Sequence, residues 1–239
     1  MIRGSSKNWR RLLSGGVVVC LASVMSAHGR AEIADRPEVM IRAYMNAHNS
    51  HNLGAEIKFY SEDAIFVLSQ GRGEVRGREA IARLLQFDVA AGSAVSIDKL
   101  GVRRENDEIV IDTGPATERS RVFAALGIPI MRSSPTNDAF RIQDGKLSFV
   151  RQPEFTEACG AVAGDAMRVF GGWLKSDRPD AYARLYHDDK LDIRAEIVNI
   201  WIADIRAWRS STGWRPDRIA LANCTEDQPV SPQAKKNGA

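Results

Sequence analysis

The chain is poor in the residues that most catalytic chemistry draws on, with three cysteines and four histidines among 239 residues. No Gly-x-Ser-x-Gly occurs, so there is no strand-to-helix elbow to present a serine nucleophile. Gly71-Arg-Gly73 lacks the lysine and the following helix of a phosphate loop. His48 and His51 stand three apart, but no cysteine or carboxylate at matching spacing accompanies them, so His48-Asn-Ser-His-Asn52 reads as a solvated polar turn rather than a metal site. No metal and no cofactor is implied. Long apolar runs are also missing. The longest apolar stretch, Leu12 to Ala27, lacks any charge, has 16 residues and carries Gly15-Gly16, short of the roughly 20 that a helix needs to cross a bilayer.

What is present begins with that stretch. Arg3, Lys7, Arg10 and Arg11 precede it, and the small residues Ser26, Ala27, Gly29 and Ala31 close it. This is the layout of a secretory signal peptide over residues 1–31, cleaved between Ala27 and Glu32. An uncleaved anchor is the alternative. Cys20 follows Val19, where a lipoprotein signal wants a small residue. The segment holds five of the 33 basic residues and none of the 30 acidic ones, so the formal charge falls from +3 to −2 once it is removed. The basic balance is then an export signal, and no footprint for nucleic acid or an anionic membrane remains. Export implies a periplasmic or secreted protein without a stable membrane span. It also gives Cys159 and Cys224, the only cysteines left, a compartment in which a disulfide persists. Two unpaired buried thiols are the alternative.

Periodicity divides the remainder. Pro37 opens a helix with Val39, Met40, Ala43, Tyr44 and Ala47 at helical spacing. A second helix is expected from Leu53 to Tyr60, closed by Ser61-Glu-Asp63, then a strand over Ala64–Leu68. A glycine-containing loop follows from Gln70 to Gly77, and then a helix from Arg78 to Gln86. From Val95 the pattern turns to strands, at 95–102, 108–113, 119–126, 136–143 and 146–152, with Asp144-Gly145 as the clearest hairpin turn. After Pro153 helices return at 165–176, 180–186 and 194–209. Four of the five tryptophans lie from Trp173 to Trp214 and read as anchors of this addition, with Asp204 a carboxylate on the same stripe. The ungapped likeness of residues 42–63 to 168–189 reads as two similar helical hairpins rather than a duplication. The expected organisation is a signal peptide at 1–31, a cone domain at 32–155, a helical extension at 156–220, and a C-terminal tail at 221–239 that is disordered past any disulfide at Cys224. The fold class is α+β: a curved, cone-shaped antiparallel sheet with three N-terminal helices and a C-terminal helical extension.

Arg42-Ala-Tyr-Met-Asn-Ala-His48, Phe59-Tyr-Ser-Glu-Asp-Ala-Ile-Phe66, Gly77-Arg-Glu-Ala-Ile81 and Phe140-Arg-Ile-Gln-Asp-Gly-Lys-Leu147 together resemble the nuclear-transport-factor-2-like superfamily. The resemblance is closest to its ketosteroid-isomerase and SnoaL-like polyketide-cyclase branch, and it covers about residues 37–155. A superfamily with so many chemistries implies the fold more than the reaction. The isomerase mechanism, itself a standard example of carboxyl pKa tuning, uses a tyrosine and a protonated aspartic acid as oxyanion donors and a carboxylate as base. The resemblance places Tyr44 and Asp138 as the two donors, and the base falls on Leu68, which cannot accept a proton. Phe66, Leu68 and Arg141 would line the ligand site. The residues by themselves also allow Tyr44 as a core ring with its hydroxyl at the edge, and Asp138 as a solvated strand start.

Two functional classes follow. In the first, an exported protein binds a small, largely apolar, carbonyl-containing ligand in a cone-shaped pocket, with isomerase-, cyclase- or dehydratase-like activity. In the second, a non-catalytic periplasmic accessory or assembly protein uses the fold as a scaffold for a homodimer or a protein partner.

Overall fold

A computed structural model describes residues 36–187 and 190–226, with Gln70, Lys190 and Leu191 described by their backbone alone. The signal-peptide segment and the last residues of the tail lie outside the described residues. Helix α1 (Pro37–Asn49) buries Met40, Ile41, Tyr44, Ala47 and His48, and leaves the expected Val39 and Ala43 exposed. The helix reaches past His48, so the first half of the supposed turn belongs to it. Helix α2 (Leu53–Glu56) runs through a single 3-10 turn into β1 (Tyr60–Val67), and Ser61-Glu-Asp63 is therefore strand rather than a helix stop. The expected loop after it holds a short strand, β2 (Glu74–Arg76). Helix α3 (Arg78–Ala91) continues beyond Gln86 until Gly92, whose φ of +62° forms a left-handed cap.

Seven strands and a short helix follow: β3 (Ala94–Ile97), β4 (Leu100–Glu105), β5 (Glu108–Thr113), β6 (Ala116–Arg119), α4 (Arg121–Leu126), β7 (Met131–Ser133), β8 (Thr136–Gln143) and β9 (Lys146–Arg151). The main sheet has the order β2-β1-β9-β8-β5-β4, and β3-β6-β7 form a second sheet. The main sheet is mixed: β1 runs parallel to β9, while the other pairs are antiparallel. The expected single strand over 95–102 breaks at Asp98-Lys99. Parallel breaks occur at Gly114-Pro115 and Ser134-Pro135, so three chain segments turn one corner side by side. Prolines cannot donate to a ladder, and a Cβ on Gly114 would lie 3.1 Å from the Cβ of Lys99. The ladder resumes on both sides, with Ile97 opposite Ala116 and Leu100 opposite Thr113. The result is a sharply curved, unclosed surface with α1 and α3 on its concave side. The Asp144-Gly145 turn is formed, both residues having positive φ.

The stretch 119–126 differs from the strand expected there. Ser120 accepts from the Phe123 amide at 3.2 Å and Gly127 closes the segment with a φ of +84°, so an apolar run bounded by two caps becomes helix α4. Its buried Val122, Ala125 and Leu126 join a second core with α5 (Glu157–Asp177), α6 (Pro179–Leu185), α7 (Val198–Thr212) and α8 (Arg218–Thr225). A two-stranded ribbon, β10 (Tyr186–His187) with β11 (Lys190–Leu191), follows α6. Trp201 and Trp208 are buried in this core, and Arg209 donates to the Ala125 carbonyl at 2.8 Å. Asp204, also buried, pairs with Arg178 at 3.3 Å. Helix α8 lies where the tail was expected to begin, and the Cys159–Cys224 disulfide joins it to α5. The bridge closes a separation of 65 residues, for which loop-closure entropy gives a stabilisation of about 4 kcal/mol. We expect the Cys159→Ala/Cys224→Ala protein to unfold at lower denaturant by that order, with the loss appearing first as exposure of Trp208 and Trp214 in fluorescence.

Candidate functional site

A half-open cavity of about 80 Å³ lies in the bend of the sheet, enough for several waters at roughly 10–15 Å³ each. Phe66, Val95, Ile97, Phe140 and Val150 form apolar walls from the strands, and Met45 and Leu85 close it from α1 and α3. Five titratable residues line this apolar space: Tyr44 and His48 from α1, Asp88 from α3, Glu118 from β6 and Arg151 from β9.

His48 and His51 lie in a short polar segment held by several hydrogen bonds. His48 Nδ1 meets Glu56 Oε1 at 3.0 Å, and Glu56 is completely buried. A carboxylate only accepts, so Nδ1 carries the hydrogen, and the buried Nε2 of this cavity-lining residue has no partner in the protein. Asn49 holds both backbone groups of Val95 at 2.8 Å, His51 Nε2 reaches the Ser93 carbonyl at 3.0 Å, and Asn52 caps α2. Asn49, Ser50, His51 and Asn52 are exposed, as expected of a polar turn, and only His48 is buried, while the same hydrogen bonds fasten α1 to the edge of β3 and so fix the imidazole. Among the described residues no group of three His, Cys, Asp or Glu side chains is arranged to hold a metal ion.

Enclosure in an apolar wall sets the charge states. Burial, reinforced by the charge of Glu118, pushes Asp88 up to about 7, with His48 pulling it partly back. Burial raises Glu118 above the usual carboxylate range, although the Ser93 hydroxyl donates to it at 2.9 Å. Burial lowers the His48 pKa, but the hydrogen bond and charge of Glu56, with the charges of Asp88 and Glu118, outweigh it and the net shift is upward. Tyr44 shares a 2.8 Å hydrogen bond with Tyr60, and burial pushes both phenols up, which keeps them neutral.

The structure separates the residues that the sequence had grouped. Tyr44 and Phe66 reach the cavity. Leu68 packs at its margin and is not among the lining residues. Asp138 and Arg141 lie on the opposite face of the sheet. Residue 141 alternates with the buried Phe140 and Ile142, and side chains on a strand point alternately to the two faces. At Asp138 the β5–β8 register slips, its φ is +58°, and its amide donates to Asp112 Oδ1 at 2.7 Å. This bulge turns the carboxylate to Arg141, with Arg103 at 3.6 Å, while Arg141 also reaches Glu108 at 3.2 Å. Tyr44 and Asp138 therefore do not converge on one ligand oxygen.

Comparison with other proteins gives a fold likeness. No protein-family model matches the sequence, and no curated protein sequence matches it. Solved structures are similar over about half of the chain. One is an NTF2-like protein from Cytophaga hutchinsonii, with 14% identity, a TM-score of 0.30, and coverage of 49% of this chain and 87% of that one. Another is a protein with a cystatin-like fold from Methylobium petroleophilum, with 20% identity, a TM-score of 0.36, and coverage of 56% and 91%. A third, described as a candidate polyketide cyclase from Xanthomonas campestris, has 19% identity, a TM-score of 0.36, and coverage of 53% and 93%. The chemistry has to be read from the cavity's own side chains.

Glu56, Asp88 and Glu118 escaped the sequence reading. Asp88 carried a legible signal, since it stands seven residues after Ile81 and three after Leu85 on the buried face of α3. Ending that helix at Gln86 hid it. The charge states predict a pH dependence of stability. Between about pH 4 and 7 the unfolded chain has lost the Asp88 proton while the folded chain retains it, so stability falls as pH rises across that window. His48, also raised, contributes stability that is complete below its unfolded value of 6.5 and is lost as pH passes its folded value. We expect Asp88→Asn to be more stable than the wild type at pH 8, by on the order of 2–4 kcal/mol, and nearly equal to it at pH 4. Urea unfolding at the two pH values measures the difference.

Proposed function

We propose that the cavity binds a small, largely apolar carbonyl compound and moves a proton at the carbon beside the carbonyl. The observation that carries this reading is His48, whose imidazole is buried, held by Glu56 at Nδ1 and left without a partner at Nε2 inside an apolar wall. A buried polar atom without a partner costs on the order of 1–3 kcal/mol, and a ligand oxygen would relieve that cost. In the charged state, Nε2–H donates to the carbonyl oxygen. Asp88, poised near neutrality, takes the proton from the neighbouring carbon. The C–H electron pair then moves into the carbonyl, and the resulting enolate is held by the imidazolium. Return of the proton from Asp88 to a different carbon gives an isomer. Loss of a hydroxyl group from the next carbon, leaving as water with the proton from Asp88, gives a dehydrated product. Asp88 thus takes the part that Leu68 cannot fill, from a helix rather than from the first strand.

The compartment belongs to the same proposal. The Cys159–Cys224 disulfide supports a protein that works outside the reducing cytosol, in keeping with the signal-like N-terminus. Among the described residues no helix is long and apolar enough to cross a membrane.

The test is deuterium incorporation next to the carbonyl of cyclohexanone in D₂O, followed by proton NMR. The wild-type protein should accelerate exchange above buffer, and His48→Gln and Asp88→Asn should each reduce the acceleration by about 10²-fold or more. Exchange at the buffer rate, with no ligand-induced change in the protein's spectrum, would reject the reading.

A further inference from the structure

The cavity holds more negative charge than its fold needs. Two carboxylates line it, Asp88 on the α3 wall and Glu118 on the β6 wall, and a third, Glu56, stands behind His48. The cations facing them are His48 and Arg72. Arg72 sits on the exposed rim and is engaged with Ser69, through its carbonyl at 3.1 Å and its hydroxyl at 2.9 Å, and with Gln152 at 3.4 Å, so water screens much of its charge. Arg151 lines the cavity but lies over the ring of Phe149, which belongs to the outer face of the sheet. The ring of His51 is held by the Ser93 carbonyl, and Tyr44 and Tyr60 are neutral phenols bonded to each other. His48 and Arg72 are the cations whose charges act on Asp88 and Glu118. Glu118 is given one donor, the Ser93 hydroxyl, and a carboxylate accepts more than one hydrogen bond.

We infer that the molecule bound in this cavity carries a protonated amine, seated against Glu118 and Asp88, in addition to the oxygen at His48. The inference rests on the functional reading above and narrows its ligand class. In the empty cavity the excess charge is relieved by protons, as the raised values of Asp88 and Glu118 record. An ammonium replaces those protons. By cancelling the charge of Glu118 it removes one of the two main forces holding the proton on Asp88, so the ligand ionises the group that serves as its base. An anionic ligand meets the opposite balance and is refused.

Isothermal titration with three probes of one shape, benzylamine, benzyl alcohol and benzoate, tests this, using wild-type protein in two buffers of different ionisation enthalpy. Benzylamine should bind about tenfold or more tightly than benzyl alcohol, with net proton release at pH 6.5 that declines towards pH 8.5, and benzoate should bind weakest. In Glu118→Gln the preference for the amine over the alcohol should shrink towards unity and proton release should fall. Equal binding of amine and alcohol, or tightest binding of benzoate, overturns the amine inference and leaves the cavity reading in place. Absence of binding by all three overturns both. The wild-type ratio and its proton release decide the matter even if the variant fails to fold.

Discussion

Everything that the cavity does depends on one corner in the sheet. Three segments bend together at Asp98-Lys99, Gly114-Pro115 and Ser134-Pro135, and the ladder is re-formed on each side of the bend. A flat sheet would have packed its apolar face onto α1 and α3 and closed. The bend instead carries β3 and β6 away from β5 and β8, and leaves a space whose walls come from both sides of the corner and from both helices. Asn49 fixes the depth of that space by holding α1 to Val95 on the lip of the bent part.

Within that space the electrostatics follow from enclosure. Apolar walls make every ionised group expensive, so the carboxylates retain protons that they would lose in water, and the imidazole gains one through Glu56. Burying an ion pair such as His48–Glu56 is seldom the most stabilising use of a core position. Here it orients a ring that lines the cavity and whose far nitrogen is buried without a partner. The same low polarity that makes the site costly in the empty protein strengthens whatever hydrogen bonds a ligand brings.

The two faces of the sheet have different tasks. The concave face holds the neutral or poised groups. The outer face carries a network of Arg103, Asp112, Asp138, Arg141 and Glu108 that is partly solvated, where ion pairs contribute little apiece and mainly fix register around the bulge. The helical addition forms a second core through α4, whose side chains turn away from the cone. The disulfide between α5 and α8 secures that core at its end, without reaching the cavity.

The sequence by itself determined the element types wherever a strong local pattern met clear boundaries. The first helix, the strands at 108–113 and 136–143, the Asp144-Gly145 hairpin and the tryptophan stripe of α7 all belong to this group. Caps that compete with periodicity were harder to read. Ser120 and Gly127 turned an apparent strand into α4, and Gly92 extended α3 far enough to bring in Asp88. Tyr44, Phe66 and His48 are visible in the sequence as residues, but only the tertiary structure decided which of them share a space. The physical reason is that a site joins residues by direction as well as by position. Strand alternation puts Arg141 on the far side of the sheet, a bulge sends Asp138 there as well, and a bend three segments wide brings Glu118 and Asp88, thirty residues apart in the chain, to the walls of the same cavity.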